Sequence, residues 1–400
     1  MDEARNPYTP NAGSPPRFLA GRHEELEGFR ILLQRLQSGY TEQSLIVTGL
    51  RGVGKTVLLG RYRQIALDMD WVAVDAEVSK ATPFAPQIAN LARRALLQIS
   101  PAARWSARVK QAAGIVKSFS LTMQPDGAIT AGLDVDAQAG IADSGELAHD
   151  LPDLFEAIGN AAHDSGRGVV FLFDEIQFLS KQELEALVGA IHRTVQRQLP
   201  ITFAGAGLPQ IPGLAGDAKS YAERLFRFPM IGELTAEEAV EAILQPAILE
   251  GVLYDYEAAQ AIYAYTEGYP YFIQEFGKAV WSYASASPIT LADVLAATPI
   301  VESVLDESFF RTRVQRSTVE ELRYMRAMAQ LGAEEQKAAD VAMQLGKTSE
   351  QVAPLRARLI NKGLLFTPRH GYAKFTVPQF DKFMRRHMTM DGISANTDDD

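Results

Sequence analysis

Ser44-Leu-Ile-Val-Thr-Gly49-Leu-Arg-Gly-Val-Gly-Lys55-Thr56 decides how this chain is read. Residues 44–48 form a short β-rich run, and the glycine-rich turn after them opens a helix whose apolar spacing continues through Leu67. Gly49, Gly52 and Gly54 let the backbone curl so that successive N–H groups face inward, and the helix directs its positive N-terminal end at the same point. Such a cradle suits phosphate. Lys55 can reach the terminal phosphates as a point charge, Thr56 brings a hydroxyl able to ligate Mg²⁺, and Val53 and Val57 flank the pair. A chance Gly-Lys-Thr in a surface turn is the rival reading, and the strand before and helix after count against it.

A magnesium nucleotide needs a further carboxylate at the end of a neighbouring strand. Val169-Val-Phe-Leu-Phe-Asp174-Glu175 supplies two. Asp174 would hold Mg²⁺ and Glu175 would orient or deprotonate an attacking water. Acid pairs after apolar strands also arise as helix N-caps, so the motif draws its weight from the phosphate loop upstream. Phosphoryl transfer also benefits from a cation on the γ-phosphate. In Ser220-Tyr-Ala-Glu-Arg224-Leu-Phe-Arg227-Phe, Arg224 is the first candidate, in cis or across a subunit boundary, and Arg227 the second. A solvated arginine paired with a nearby acid is the competing reading.

Around these motifs the pattern alternates between strands and helices. Residues 71–75, 169–173 and 201–205 are apolar strand-like runs, and residues 86–99 have helical spacing. The fold class expected is α/β, a doubly wound parallel sheet with ligands at the strands' C-terminal ends. Residues 118–135 break the rhythm: SFSLTMQ and AITAGLDV alternate about Pro-Asp-Gly, which reads as an inserted β-hairpin. Residues 1–20 read as an extended arm, and residues 235–300 as purely helical.

The chain has 400 residues, 47% hydrophobic, no cysteine, six scattered histidines and a net charge of −10. That length suits two to three domains. The missing cysteine excludes disulfides, thiolate metal sites and a cysteine nucleophile. With no long apolar run and a polar, Pro-rich N-terminus, a soluble cytoplasmic protein with no membrane partner is expected. The charge is uneven. Residues 1–300 carry 24 Lys+Arg against 35 Asp+Glu, residues 301–390 carry 15 against 10, and the last ten carry four aspartates and no base. An acidic body, a basic module and an acidic, disordered tail are separate objects.

The motifs together resemble AAA+ P-loop ATPases, in the branch shared by origin-recognition initiators and STAND signalling ATPases. Leu19-Ala-Gly-Arg22-His-Glu-Glu-Leu26 resembles that branch's entry to the phosphate loop, and Gly268-Tyr-Pro270 its lid motif, where the proline packs near adenine. The resemblance implies a P-loop NTPase sheet over 21–232, a helical lid over 233–300 holding ATP against it, and a winged helix-turn-helix domain over 301–390. It also implies Arg22 and Pro270 near the base. Two departures point to slow, switch-like hydrolysis: the strand expected to carry a polar sensor ends Ala204-Gly-Ala-Gly207, leaving only Thr202, and Pro270-Tyr271 stands where a sensor arginine is common.

In residues 317–386, two helices precede a third bearing Val352, Leu355 and Leu359 on one face, and a hairpin follows around Thr-Pro-Arg-His-Gly. Pro354 suggests that the third helix starts near it and is short. In a winged helix that helix enters the major groove of double-stranded DNA. Gln351, Arg358, Asn361 and Lys362 would face out with Arg356 on the flank, and Arg369, His370 and Lys374 would lie on the wing. The alternative is that the module binds a protein partner, or serves self-association, in a signalling switch.

Overall fold

The computed structural model describes residues 1–100, 105–124, 130 and 132–388; the acidic tail lies outside the described residues. The chain divides into two compact units. One, the α/β unit, takes in residues 22–49 and 54–231; the other, the helical unit, takes in residues 1–21, 50–53 and the chain from 232 onward.

In the α/β unit, α1 (His23–Gln37) leads to β1 (Ser44–Thr48), α2 (Lys55–Asp68), β2 (Val72–Glu77), α3 (Phe84–Ile99), α4 (Ala107–Met123) and α5 (Leu147–Asp164). Then follow β3 (Val169–Asp174), α6 (Lys181–Gln196), β4 (Ile201–Gly207), α7 (Ile211–Ala218), α8 (Ala222–Leu225) and β5 (Phe226–Arg227). The strands pair in parallel in the order β2-β3-β4-β1-β5. Helices cover both faces, so β1 and β4 are buried at every residue and β3 at all but Asp174. On one face Phe171 stacks on Phe155 of α5, with ring centroids 4.7 Å apart, and Phe173 lies between Phe84 of α3 and Phe203 of β4.

The expected hairpin over 118–135 is not formed. Residues 118–123 belong to α4, residues 125–129 and 131 lie outside the described residues, and residues 130 and 132–135 contain no strand. The alternation in SFSLTMQ spans seven residues. A longer helical repeat, with Val109, Ala112, Ala113, Val116, Phe119 and Ser120 all buried, overrides it by packing against α3 and α5.

The helical unit opens on α9 (Ala236–Leu249), α10 (Tyr256–Thr266), α11 (Pro270–Tyr283) and α12 (Leu291–Val304); a π-helical stretch (Leu305–Phe310) follows, then α13 (Arg311–Val314). Thr235 and Glu238 close a capping box on α9, and Pro270 starts α11 at N1, where its fixed φ suits a helix and its missing N–H costs nothing. Gly268, at φ 76°, is pressed against the Leu234 carbonyl so closely that any Cβ there would collide with it. The first residues are strapped down within this unit. Tyr8 is buried, its hydroxyl donates to the Ile243 carbonyl at 2.5 Å, and the Trp281 indole N–H donates to the Asp2 carbonyl at 2.9 Å. Arg5 and Arg17 both pair with Glu250.

The chain continues through α14 (Val319–Leu331), β6 (Gln336–Lys337), α15 (Ala338–Gln344), α16 (Ser349–Asn361), β7 (Leu365–Phe366), β8 (Tyr372–Phe375) and α17 (Phe380–His387). The three short strands pair antiparallel in the order β6-β8-β7, with Leu365 opposite Phe375. Contrary to expectation, α16 begins five residues before Pro354. A capping box between Thr348 and Gln351 fixes its start, and Val352, Leu355 and Leu359 are buried, which together offset the one helical bond that Pro354 cannot donate.

Candidate active site

The turn after β1 closes with Gly52 and Gly54 at φ 82° and 96°, backbone that residues bearing a Cβ adopt only under strain. The following Lys55 is the first residue of α2 and is buried, its Nζ donating to the Gly49 carbonyl at 3.0 Å. The ammonium is thus curled back over the loop's first residue. Thr56 is exposed and projects its hydroxyl to Oδ2 of Asp174 at 2.5 Å. That contact joins two segments 118 residues apart in sequence. β4 separates their strands in the sheet.

Beyond Asp174 the chain turns sharply. Glu175 adopts φ 55° and ψ 36°, a left-handed conformation costing a non-glycine residue about 1–3 kcal/mol. Its N–H donates to Asp174 Oδ1 at 2.8 Å, and its carboxylate accepts from the amide of Gln177. The Gln177 oxygen in turn accepts from the Leu208 N–H at 3.2 Å, just past the end of β4. Gln177 escaped the sequence reading; the signal was a glutamine two residues after the acid pair, opposite a strand end with no polar side chain. Thr202 is no substitute. Its hydroxyl is buried against Ser44 Oγ at 2.9 Å, at the opposite end of the sheet from the phosphate loop.

Lys55, Thr56, Asp174 and Glu175 therefore come together at the C-terminal ends of β1 and β3. A threonine hydroxyl and one carboxylate form a hard oxygen pair, which fits a Mg²⁺ ion that takes its remaining ligands from phosphate and water. Among the described residues no cluster of three or more His, Asp or Glu side chains offers an all-protein metal cage.

Other candidates lie elsewhere. Arg224 is exposed on α8, which runs into β5, and β5 pairs with Ser44 and Leu45 at the start of β1. The phosphate loop leaves the far end of β1, roughly 13 Å along the strand at ~3.3 Å per residue. Arg224 thus sits near the opposite end of β1 from its own chain's loop; the Gln43 amide caps its carbonyl at 3.1 Å. Arg227, in β5 itself, lies beside Gly28 of α1. Arg22 is buried as the residue preceding α1. In the helical unit, which includes residues 50–53, the Tyr269 hydroxyl donates to the Arg51 carbonyl and lies over Gly52, where a Cβ would come within 2.5 Å of it. Burial pushes this phenol's pKa up, so it stays a donor. Val53 is buried, and Val57 half-buried on α2.

The basic candidates of the C-terminal module are largely occupied. Arg358 and Lys362 were expected to face outward as nucleic-acid contacts. Arg358 is exposed and Lys362 half-buried, and both also reach Glu321 of α14, at 3.2 and 2.6 Å, whose side chain is 0% exposed. Arg369 pairs with Glu335 and lies 3.7 Å over the Tyr372 ring, and Lys374 pairs with Glu334 at 3.2 Å. The reason is packing: α16 lies against α14, whose buried acid draws the nearest cations. Arg356 differs. With Lys337 it lines a groove of about 330 Å³ between α15, α16 and β8, alongside Ser349, Val352 and Tyr372.

Residues 19–203 match the family model described as an AAA ATPase domain, and residues 307–384 one described as a domain of unknown function (DUF8462). The solved Walker-type ATPase of Pyrococcus abyssi is 15% identical with a TM-score of 0.59, the match covering 92% of this chain and 96% of that one. The Aeropyrum pernix Orc1 protein, solved in complex with DNA, is 13% identical with a TM-score of 0.44 over 95% of each chain. The Thermotoga maritima RuvB Holliday junction branch migration motor is 17% identical with a TM-score of 0.44, over 88% of this chain and 91% of that one. No curated protein matches the chain. No described helix is long and apolar enough to cross a membrane. At 15% identity the Pyrococcus likeness is one of fold, and it agrees with the parallel sheet. Residues 19–203 thus match an AAA ATPase domain, and the parallel sheet they contribute to has the P-loop NTPase fold.

Proposed function

We propose that the protein binds Mg-ATP at the phosphate loop and hydrolyses it slowly, using the nucleotide state to control a C-terminal winged helix that binds double-stranded DNA. The observation that carries the ATPase half is the 2.5 Å bond between Thr56 and Asp174, which brings the loop's hydroxyl and the acid at the end of β3 together. The N–H groups of Gly49 to Gly54 and the Lys55 ammonium would hold the β- and γ-phosphates. Thr56 and Asp174 would hold Mg²⁺, which when bound neutralises phosphate charge. Glu175 would orient a water whose oxygen bonds to the γ-phosphorus as the bond to the bridging oxygen breaks, and its carboxylate would take the water's proton. ADP and phosphate leave.

Slow turnover follows from the lack of a polar residue at the end of β4 and from Pro270-Tyr271 standing where a sensor arginine is common. The exposed position of Arg224 at the opposite edge favours action across a subunit boundary. Mixing Arg224→Ala protein with Lys55→Ala protein is then expected to restore part of the hydrolysis, because the loop of an Arg224→Ala subunit can meet the intact arginine of a Lys55→Ala subunit. Steady-state phosphate release checks this, and a mixture no faster than its two components rules the role out.

For the DNA half, support comes from Arg356 and Lys337 in one groove beside the third helix of the module. Duplex affinity should fall steeply with salt, change on adding ATP, and lose about one unit of salt slope in Arg356→Ala. Fluorescence anisotropy between low and moderate salt measures all three, and salt-insensitive or absent binding refutes this half. One observation favours the rival reading, a signalling switch whose module binds a protein: Arg358, Lys362, Arg369 and Lys374 are already paired with acids, which weakens their hold on a phosphate backbone.

A further inference from the structure

The end of β4 lies between the strand that leads into the phosphate loop and the strand that ends in Asp174, and the Gly49 N–H donates to the Gly207 carbonyl there at 3.2 Å. A polar side chain at that strand end would touch both halves of the site, yet residues 204–207 are Ala-Gly-Ala-Gly. The space is filled from elsewhere. A Cβ built on Gly207 would come within 2.9 Å of the Gln177 amide oxygen, so the missing side chain is what admits Gln177.

The orientation of that amide follows from its partners. Its oxygen accepts from the Leu208 N–H, which can only donate, so its nitrogen faces the Glu175 carboxylate, which can only accept while ionised. The amide therefore ties the carboxylate of a strained residue to the end of β4. We propose that Gln177 is the positioning residue of this ATPase, supplying from the turn after β3 the polar group that β4 lacks and holding Glu175 where it meets the attacking water. The proposal rests on the reading of Glu175 as the residue that receives the water's proton.

Gln177→Ala and Gln177→Glu test it, assayed in the full-length protein with ATP and Mg²⁺. The first removes the amide. The second keeps an oxygen for Leu208 but sets a carboxylate against Glu175. Both are expected to lower kcat by roughly 10–100-fold, the usual cost of a misplaced catalytic group, while KM and the affinity for a non-hydrolysable ATP analogue stay within twofold. In a Glu175→Gln background neither should lower the rate further, because the residue acts through Glu175. Wild-type turnover in either variant, an equal loss in both backgrounds, or a parallel loss of analogue affinity would overturn the proposal. Wild-type turnover in Glu175→Gln alone would instead remove the underlying reading of Glu175, a result read from a different protein.

Discussion

Glu175→Gln should slow ATP hydrolysis by roughly 10²–10⁴-fold and leave the protein loaded with ATP. The substitution keeps the side chain's size and its place beside Gln177 but removes the basic oxygen that would take the water's proton. Nothing in the phosphate cradle changes: the Lys55 contact to the Gly49 carbonyl and the Thr56 contact to Asp174 do not involve it. Affinity for ATP should therefore be preserved and only the chemical step lost. Lys55→Ala is the matched control, expected to lose binding itself, because it deletes the ammonium folded over the loop's first residue. Single-turnover hydrolysis with labelled ATP, alongside equilibrium binding of both variants, separates the two effects. Equal hydrolysis rates in wild type and Glu175→Gln would show that Glu175 is not the catalytic carboxylate.

Arg358→Ala with Lys362→Ala should cost about 3 kcal/mol of stability at pH 7, the lower end of what breaking a buried ion pair costs, since both cations still reach water. Glu321 is the reason. Burial opposes its ionisation, but the Lys362 hydrogen bond, the Thr318 N–H, the Lys362 charge and the Arg358 hydrogen bond outweigh burial and hold its carboxyl below the usual carboxylate range. A carboxyl whose folded pKa is depressed stabilises the fold fully above its unfolded value, about 4.3, and that contribution is lost as pH falls through the lower, folded value. The difference between wild type and the double variant should thus be full at pH 7 and shrink below about pH 4. Adding Glu321→Gln to the double variant should recover most of the loss at pH 7, because no charge is then left buried. Urea unfolding of the full chain at the two pH values measures this; an undiminished difference in acid would refute the charge argument. For the same reason these two cations are poor probes of DNA binding, since their removal would weaken the module that carries them.

Much of the site is local in sequence. The loop from Gly49 to Thr56 carries its chemistry in consecutive residues, and Asp174-Glu175 follows a strand whose burial on both faces makes it apolar throughout. Composition, glycine spacing and hydrophobic period were enough for the α/β class, the phosphate loop and the acid pair. The hairpin over 118–135 failed because two periods overlapped in a short window; tertiary packing against α3 and α5 chose the helical one. Gln177 was invisible because its role is defined by the space beside Gly207, a residue 30 positions away in the chain. The direction of a cation is likewise a tertiary property. Arg358 and Lys362 read as free charges until α14 brought a buried glutamate beneath them, and the parallel pairing of β5 with the start of β1 sets Arg224 at the far edge, which favours the second of its two expected placements, across a subunit boundary. The amino-acid sequence alone determined the glycine-rich turn, the lysine and the threonine proposed to hold phosphate, because that chemistry is built from neighbouring backbone groups. Only the tertiary structure decided which charges remain free to act and what holds Glu175, because those depend on the segments that folding brings together.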